Sequence, residues 1–406
     1  MNRRQVLFAM VFFTASVRSA ELEIEVLAGP HDRRDTPVRF AVDRAAAGVL
    51  LVEVTAKGDV PVPVQLEAME DAVHALWILQ GETKRDAKRS YRLRVLEKAP
   101  IGAPTVRVIE ETGKTLEVRM GDLPVLRYNL GKVSPPDPVI PAIQGRNAYL
   151  HPLWSPSGAV LTMDYPRNHL HHRGVWFPWV HTEFEGRHPD FWNLGDGTGT
   201  VEFAALDGVT SGPVMGGFRA KHRHVDLKAP GGPKTALEEI WTVRVWAVGG
   251  REAGTFLYDL ESVQNCASAS PLKLDQYRYG GLGLRGSWDW EGDAVRFFTS
   301  EGKGRLNGED TPARWVDMGG PFSGRWAGIT VLGHPKNFRA PQPVRIHPSE
   351  PFLNFSPVKS GPMAIEPGKP YVSRYRFALH DGVLRADEAE RLWFDYAEPP
   401  VVRIKG

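Results

Sequence analysis

Three long stretches of alternating apolar and polar residues decide the fold: Phe218-Arg-Ala-Lys-His-Arg-His-Val-Asp-Leu227, Ala236-Leu-Glu-Glu-Ile-Trp-Thr-Val-Arg-Val-Trp-Ala-Val248 and Thr255-Phe-Leu-Tyr-Asp-Leu-Glu-Ser-Val263. Successive side chains of a β-strand point to opposite faces, so a period of two predicts strands with one buried face. The three stretches follow one another with almost no helical periodicity between them. They therefore predict a large antiparallel β-sandwich.

The segments towards the C-terminus extend this sandwich. Shorter alternating stretches predict further strands over residues 272–279, 295–298, 327–332 and 371–379. Only residues 387–396 have helical spacing, with Ala389, Leu392 and Trp393 on one side. We expect this short helix, within a C-terminal helix and tail at residues 384–406, to dock back onto the sandwich.

The N-terminal part has a similar pattern on a smaller scale. Period-two stretches at residues 22–27, 49–54, 73–79 and 91–96, with turn residues between them, predict a small immunoglobulin-like β-sandwich over residues 21–100. Residues 98–104 have the composition of a linker. A second domain over residues 104–383 then starts with strands at 105–109, 115–120 and 124–128, and the Pro-rich residues 134–141 predict an extended arm. The sequence thus predicts an all-β protein.

Composition limits the possible partners. The 406 residues include 50 basic and 48 acidic side chains, and the net charge of +2 comes with no long run of one sign. This balance argues against nucleic acid or an anionic membrane surface as a partner. Cys266 is the only cysteine, so no intrachain disulfide can form. The sequence leaves the oligomeric state open.

Residues 1–20 have the features of an export signal. Met1-Asn-Arg-Arg4 is a positively charged start, an apolar stretch follows, and Val17-Arg-Ser-Ala20 offers a cleavage site. The two arginines are compatible with twin-arginine export, and Sec export or an uncleaved anchor are the alternatives. We expect a periplasmic or extracellular protein with no further membrane segment.

Histidines are concentrated in one part of the chain. Six of the 13 lie between positions 151 and 188, and four tryptophans accompany them. The residues are His151, His169, His171, His172, His181 and His188, with Trp154, Trp176, Trp179 and Trp192. This density favours a polar site with aromatic walls, which suits a sugar-type ligand. Core packing is the alternative role for each tryptophan.

Several motifs resemble a family of exported bacterial β-proteins labelled "methane oxygenase PmoA", over residues 106–381. The motifs are His151-Pro-Leu-Trp-Ser-Pro-Ser-Gly158, Asp164-Tyr-Pro-Arg-Asn-His-Leu-His-His-Arg-Gly-Val-Trp-Phe177, Tyr279-Gly-Gly-Leu-Gly-Leu-Arg285, Ala313-Arg-Trp-Val-Asp-Met-Gly319 and Gly328-Ile-Thr-Val-Leu-Gly-His-Pro-Lys-Asn337. The resemblance implies a β-supersandwich of the galactose-mutarotase type and a role among carbohydrate-degrading functions.

A second, local resemblance concerns His188-Pro-Asp-Phe-Trp-Asn-Leu-Gly-Asp-Gly197. It is similar to the His-Thr-Tyr-Phe-Asn-Leu motif of aldose 1-epimerases, and implies that His188 acts as the acid/base at a sugar ring.

Histidine spacing also suits a metal. If residues 169–172 form a strand, His169 and His171 point to one face and His172 to the other. A third ligand from His181, His188, Asp164 or Glu183 would complete a Zn or Cu site. In the alternative interpretation, the imidazoles bind sugar hydroxyls and Arg173 holds an anion. Zn or Cu is the cofactor that this histidine pattern suggests.

Acid/base chemistry on a sugar needs a proton donor and an acceptor on opposite sides of the reacting atom. We select as catalytic candidates His169, His171, His172, His188, Asp275 and Tyr277, and as substrate-binding candidates Arg173, Trp176, Trp192, Asn193, Tyr279 and Arg285. Other possible carboxylate partners are Glu238, Glu239, Glu309 and Asp310. The glycines at 280, 281 and 283 predict a bend that brings Tyr279 and Arg285 to the cleft, because no helix or P-loop lysine follows to bind a nucleotide.

Three functions remain compatible with these residues. The first is an exported carbohydrate-active enzyme using epimerase, lyase or hydrolase-type acid/base chemistry. The second is a carbohydrate-binding protein without turnover, and the third is a histidine-ligated Zn or Cu oxidoreductase. A small carbohydrate is the expected partner.

Overall fold

A computed structural model describes residues 21–43, 46–69, 72–98 and 102–405. The predicted export signal at residues 1–20 lies outside these ranges. None of the helices in the described ranges has the length and apolar character needed to cross a membrane.

Strands make up most of the described chain. The first seven are β1 (Glu21–Leu27), β2 (Arg33–Val42), β3 (Gly48–Thr55), β4 (Gly58–Val62), β5 (Val64–Ala68), β6 (Val73–Thr83) and β7 (Lys88–Leu96). The next six are β8 (Val106–Glu111), β9 (Thr115–Met120), β10 (Leu123–Asn129), β11 (Tyr149–Leu153), β12 (Val175–Trp176) and β13 (Thr182–Glu183). The long strands follow as β14 (Gly199–Thr210), β15 (Met215–Asp226), β16 (Lys234–Gly250) and β17 (Thr255–Cys266).

The remaining elements are short apart from three strands and one helix. They are β18 (Leu272–Leu274), β19 (Leu282–Arg285), β20 (Arg296–Thr299), β21 (Trp315–Phe322), β22 (Arg325–Gly333), β23 (Val344–Ile346), β24 (Phe352–Phe355), β25 (Met363–Ile365), β26 (Tyr371–Asp381), α1 (Ala386–Ala397) and β27 (Val401–Ile404). Single 3₁₀ turns occur at Ala142–Gln144, Leu194–Asp196, Trp288–Trp290, Gly292–Ala294 and Pro357–Ser360.

The N-terminal sandwich has two antiparallel sheets, in the orders β27-β1-β7-β3-β4 and β2-β6-β5. Its core includes Ile24 and Leu93, which alternate with more exposed neighbours as the sequence predicts, and Trp77, whose neighbours Leu76 and Ile78 are buried as well. The last strand, β27, pairs with β1 through Ile24 and Ile404. The segment that we expected to be a tail therefore completes the first sheet.

Two eight-stranded antiparallel sheets form the large sandwich, in the orders β14-β15-β16-β17-β26-β22-β21-β20 and β23-β24-β19-β12-β11-β10-β9-β8. Leu284 and Leu353 of the second sheet share one core with Val243 and Phe377 of the first. The predicted antiparallel all-β sandwich is confirmed.

Helix α1 fills the space between the two sandwiches. Leu392 and Trp393 pack with Leu76 of the N-terminal sandwich and Trp246 of the large one. Asp387 and Glu388 lie in its first turn, where carboxylates favour the positive end of the helix dipole.

The prediction of one strand over residues 272–279 is wrong in extent, because the strand ends at Leu274. Gly280 and Gly281 have φ of +140° and +100°, which L side chains rarely adopt, so the chain turns here before β19. Tyr277 and Tyr279 consequently lie in a loop, as the predicted bend at these glycines requires.

Strands β23, β24, β19, β12 and β11 position the candidate site, because successive side chains of each strand point to opposite faces of the sheet. Val175 pairs with Leu284 and faces the sandwich core, whereas the next residue, Trp176, pairs with Gly283 on the opposite face. Arg285 and Phe352 are likewise paired. The outer face of this sheet therefore presents Trp176, Arg285 and Phe352 to the loops that cover it.

Candidate functional site

The loop between β11 and β12 carries the histidine cluster in a turn. The backbone N–H of His169 donates to the carbonyl of Pro166 at 3.0 Å, and that of His172 donates to the carbonyl of His169 at 2.8 Å. This turn puts the rings of His169 and His172 in a stack, with centroids 4.6 Å apart and planes at 9°. The prediction that residues 169–172 form a strand, with His169 and His171 on one face, is therefore wrong. The His171 ring stands perpendicular to both neighbours.

Arg173 holds this loop in place. Its Nη1 donates to the carbonyls of Leu170 and His172, both at 2.7 Å, and its Nη2 donates to the carbonyl of Gln144. Its Nε lies 3.1 Å from Asp164 Oδ1, and the side chain is fully buried. With its donors directed at the protein, we assign Arg173 to positioning the loop; the predicted contact with substrate remains without support.

A carboxylate from a distant part of the chain joins the histidines. Glu350, in the loop between β23 and β24, has its Oε2 3.2 Å from Nδ1 of His169. Arg285 donates to the same carboxylate and also lies 3.2 Å from Glu291. Our sequence reasoning missed Glu350, because no local pattern marks it and only the pairing of β19 with β24 brings it close to Arg285.

His169, His172 and Glu350 could hold a metal ion together. One ligand atom from each residue lies within 4.8 Å of the others. Ligands about 2.0–2.2 Å from a shared Zn²⁺ lie at most about 4 Å apart, so a small rotation of the side chains would suffice. His171, the predicted partner of His169 in a metal site, does not belong to this group of three.

The imidazoles of the cluster are held in their neutral form. Burial, together with the nearby His169 and three arginines, lowers the pKa of His171 to about 3. Burial and the neighbouring His171 keep the pKa of His172 well below its usual range. Burial also lowers the pKa of His169, although Glu350 opposes this shift. A neutral imidazole can bind a metal or accept a proton, but it cannot act as a cationic proton donor.

Aromatic rings form the back of the cluster. Phe352 stacks on His172 with centroids 4.7 Å apart, and the rings of Trp176 and Trp192 meet at 5.1 Å. Trp176 and Phe352 are fully buried and Trp192 is nearly so. A side chain at Gly283 would approach three atoms of the Trp176 indole at 3.1–3.2 Å. The tryptophans predicted to stack on a sugar thus support the histidines from behind.

Tyr279 and Tyr277 continue this row towards the surface. The rings of Trp192 and Tyr279 are 5.5 Å apart, those of Tyr279 and Tyr277 are 5.7 Å apart, and both tyrosines are half-buried. His181 stacks on Tyr277 at 3.8 Å. A ligand surface is therefore available at the tyrosine end of the row.

Three predicted site residues lie apart from the cluster. The ring of His188 contacts the carbonyl of Thr182 at 2.9 Å, and Asp275 is an exposed residue whose backbone pairs with His181. Asn193 donates to Asp190 at 2.8 Å. No hydrogen bond, ion pair or ring contact joins these three to His169 or His172 within the described ranges.

The segment similar to the epimerase motif has a structural role for one of its carboxylates. Asp190 Oδ1 accepts from the backbone N–H groups of Trp192 and Asn193, both at 2.8 Å. This turn directs Trp192 towards the histidine cluster. The acid/base role that the resemblance implies for His188 stays a prediction.

Glu239, one of the possible carboxylate partners, lies inside the large sandwich. It accepts hydrogen bonds from Trp241, Ser262 and Gln264, and His224 approaches it at 2.9 Å. Burial alone would raise its pKa, but the interactions with His222 and His224 keep the pKa of Glu239 well below its usual range. This buried network belongs to the core. Glu238 is exposed, and Glu309 and Asp310 pair with Lys359.

Comparison with known families gives one match. The model of a family of unknown function (DUF6807) matches residues 115–394, a range that contains the whole cluster from His169 to Glu350. No curated protein matches the chain.

Proposed function

The chain belongs to DUF6807, a family of unknown function, and we propose that it is a metal-dependent enzyme that acts on a carbohydrate. The observation that carries the proposal is the convergence of His169, His172 and Glu350 within 4.8 Å. Two imidazoles and one carboxylate are the ligand set of many catalytic Zn²⁺ sites, which keep another position open for water or substrate.

Unsatisfied polar atoms support a bound cation. Nδ1 of His172 and Nδ1 of His169 are buried without a hydrogen bond among the described residues, although the latter lies 3.2 Å from Glu350. Such a group costs about 1–3 kcal/mol when it is left unpaired. A metal ion would accept the lone pairs of both neutral rings and would share the Glu350 carboxylate with Arg285. The lowered histidine pKa values also favour metal binding, because protons then do not compete with the metal for the ring nitrogens.

A divalent ion at this position would polarise a substrate oxygen or lower the pKa of a bound water to about 7. The chain itself offers Glu291 as a proton acceptor. Its carboxylate is 45% exposed and lies 3.2 Å from Arg285, which also contacts Glu350. We place the reaction among the hydrolase, lyase and epimerase types, with Glu291 moving the proton.

The carbohydrate part of the proposal rests on Tyr277 and Tyr279. Half-exposed aromatic rings next to polar groups suit the C–H faces and hydroxyls of a sugar. A fold of the galactose-mutarotase type and export to the periplasm or beyond are parts of the same proposal. A carbohydrate-binding protein without turnover would use the same rings.

One second function is supported by the same ligand set. Two histidines and a carboxylate also bind Fe(II) in non-haem oxygenases. The "methane oxygenase PmoA" resemblance would correspond to such a metal oxidoreductase, with iron or copper as alternatives to zinc. The identity of the metal separates these proposals.

The test is an elemental analysis of the purified full chain. We expect about one Zn per chain, with loss of the metal from His172→Ala and Glu350→Gln and retention in the control His188→Ala. Circular dichroism of each variant would verify folding. About one Fe or Cu per chain would favour the oxidoreductase. A folded wild-type protein that binds none of these ions, even after addition of each metal, would overturn the proposal.

A further inference from the structure

A depression of about 380 Å³ opens at the tyrosine end of the aromatic row. Its wall includes Tyr277, Arg278 and Lys359, with Gln276 and Asp310 beside them. Gln276 donates to the carbonyl of Lys359 at 2.9 Å, which ties the tyrosine loop to the opposite wall. A volume of this size can hold a sugar unit, because ligand pockets begin at about 300 Å³.

The charges around the depression do not cancel. Lys359 is largely buried and pairs with Glu309 at 2.7 Å and with Asp310. Arg345 pairs with Glu309 at 2.9 Å. Arg278 has no carboxylate within 4.0 Å among the described residues. Three cations against two carboxylates leave one positive charge at the depression.

The unpaired cation lies next to the aromatic row. The guanidinium carbons of Arg278 and Arg345 are each 5.7 Å from the centroid of Tyr279. Arg278 is an exposed residue, so its donors can reach a ligand in the depression. A planar guanidinium with free donors matches a carboxylate or sulfate group through two parallel hydrogen bonds. A neutral ligand would leave the guanidinium of Arg278 without an ionic partner.

We propose that the depression is a subsite for an acidic sugar unit, whose carboxylate or sulfate ester pairs with Arg278 while its ring lies against Tyr277. This inference rests on the proposed function, since it names the substrate class of the same site. From Tyr277 the row continues through Tyr279 and Trp192 to His172, in steps of 5.7, 5.5 and 6.0 Å. Because the depression and the histidine cluster lie at the two ends of this row, the substrate in this proposal is an oligosaccharide with one unit in the depression and another at the cluster.

The test is a calorimetric titration of the full chain with three matched trisaccharides, made of galacturonic acid, galactose 6-sulfate and galactose. We expect at least one acidic trisaccharide to bind about tenfold or more tightly than the neutral one at low salt. In Arg278→Gln that preference should disappear while binding of the neutral trisaccharide is unchanged. Tyr277→Ala should weaken all three, and Arg251→Gln, which changes an exposed arginine of the β16–β17 turn, should change none.

Comparing the affinities of the galacturonic acid and galactose 6-sulfate trisaccharides shows which acidic group the subsite binds. Equal affinities for the three trisaccharides, a preference that persists in Arg278→Gln, or no binding at all would overturn the inference. Elemental analysis of the same samples keeps the two proposals separate. If the protein is metal-free but prefers the acidic trisaccharides, the subsite proposal stands and the metal-enzyme proposal fails. If the protein contains the metal but shows no such preference, the metal-enzyme proposal stands and the subsite proposal fails.

Discussion

The rings of His169 and His172 stack 4.6 Å apart and nearly parallel, because the chain turns between Pro166 and His172 instead of extending as a strand. This relationship brings two neutral imidazoles to one side of the loop, where Glu350 meets them. Arg173 stabilises the turn from below through backbone carbonyls. A site with three potential metal ligands therefore depends on a loop conformation rather than on a regular element.

Removing one of these ligands should weaken metal binding strongly. We expect His169→Ala to lower the affinity for Zn²⁺ at least about tenfold, because a metal with two protein ligands loses much of its binding free energy. Competition with a fluorescent zinc chelator would measure this affinity. His171→Ala serves as the matched control from the same loop and should retain Zn²⁺ affinity within about threefold. Equal losses in the two variants would contradict the selection of His169, His172 and Glu350.

Gly283 should be required for the position of Trp176. A methyl group there would lie 3.1–3.2 Å from three indole atoms, closer than an ordinary contact. We expect Gly283→Ala to lower the free energy of unfolding by about 1–3 kcal/mol, as other overpacked sites do. Urea denaturation followed by tryptophan fluorescence would measure it. Gly208→Ala in β14, where a methyl group meets nothing within 4 Å, is the control and should leave the unfolding midpoint nearly unchanged.

Adjacent arginines at the start of β2 should differ sharply in their contribution to stability. Arg33 is buried, donates to the carbonyls of Ala28 and Glu398, and pairs with Asp395 of α1 at 3.2 Å. We expect Arg33→Ala to cost about 3 kcal/mol, because it leaves buried acceptors unpaired. Arg391 still contacts Asp395, which keeps the cost from being larger.

Arg34 provides the control for this measurement. Its side chain is half exposed and its nearest carboxylates are 3.8 and 3.9 Å away. Arg34→Ala should therefore change the free energy of unfolding by less than about 1 kcal/mol. Similar effects of the two substitutions in urea denaturation would contradict the assignment of this stabilisation to the buried contacts of Arg33.

The buried pair of His380 and Asp317 predicts a pH dependence of stability. Burial alone would lower the histidine pKa, but Asp317 Oδ1 at 2.9 Å from Nε2 outweighs it, and the pKa of His380 is raised. The charged pair thus stabilises the fold fully below about pH 6.5, the ordinary histidine pKa. This contribution is lost as the pH rises through the raised value of the folded state.

Urea denaturation at several pH values between about 6 and about 9 would test this sign. We expect Asp317→Asn to reduce the fall in unfolding free energy towards high pH. Asp293→Asn removes a fully exposed carboxylate and should keep the wild-type slope. An unchanged slope in Asp317→Asn would contradict the assignment of the titration to His380.

Much of the fold was predictable because the burial pattern of a strand follows from the order of apolar and polar residues within that strand. Alternation along residues 236–248 depends only on which side chains face the core, and β16 extends it by two residues at each end. The helix prediction at 387–396 agrees with α1 to within one residue at each end. By contrast, the strand expected over residues 272–279 ends at Leu274, and the chain continues as a loop that turns at the glycines at 280 and 281.

The candidate site was predictable only in part. The histidines and Arg285 were selected from residue type and density, and the structure places His169, His171, His172 and Arg285 together. Glu350 was missed, as was His347, whose ring centroid lies 6.1 Å from that of His169. Both approach through the pairing of β24 with β19 and β23. His188 was chosen from the epimerase-like motif, and Asp275 and Asn193 were chosen from residue type. The side chains of His188 and Asn193 contact Thr182 and Asp190, and Asp275 is exposed with its backbone paired to His181.

The sequence by itself determined the all-β class, the order of most strands and the part of the chain that carries the histidines, because these depend on local periodicity and composition. Tertiary structure decided which side chains meet. It set the turn that pairs His169 with His172, the strand register that puts Arg285 next to Phe352, and the loop that delivers Glu350. Contacts between residues far apart in sequence arise from strand pairing and packing, which no local pattern of residues encodes.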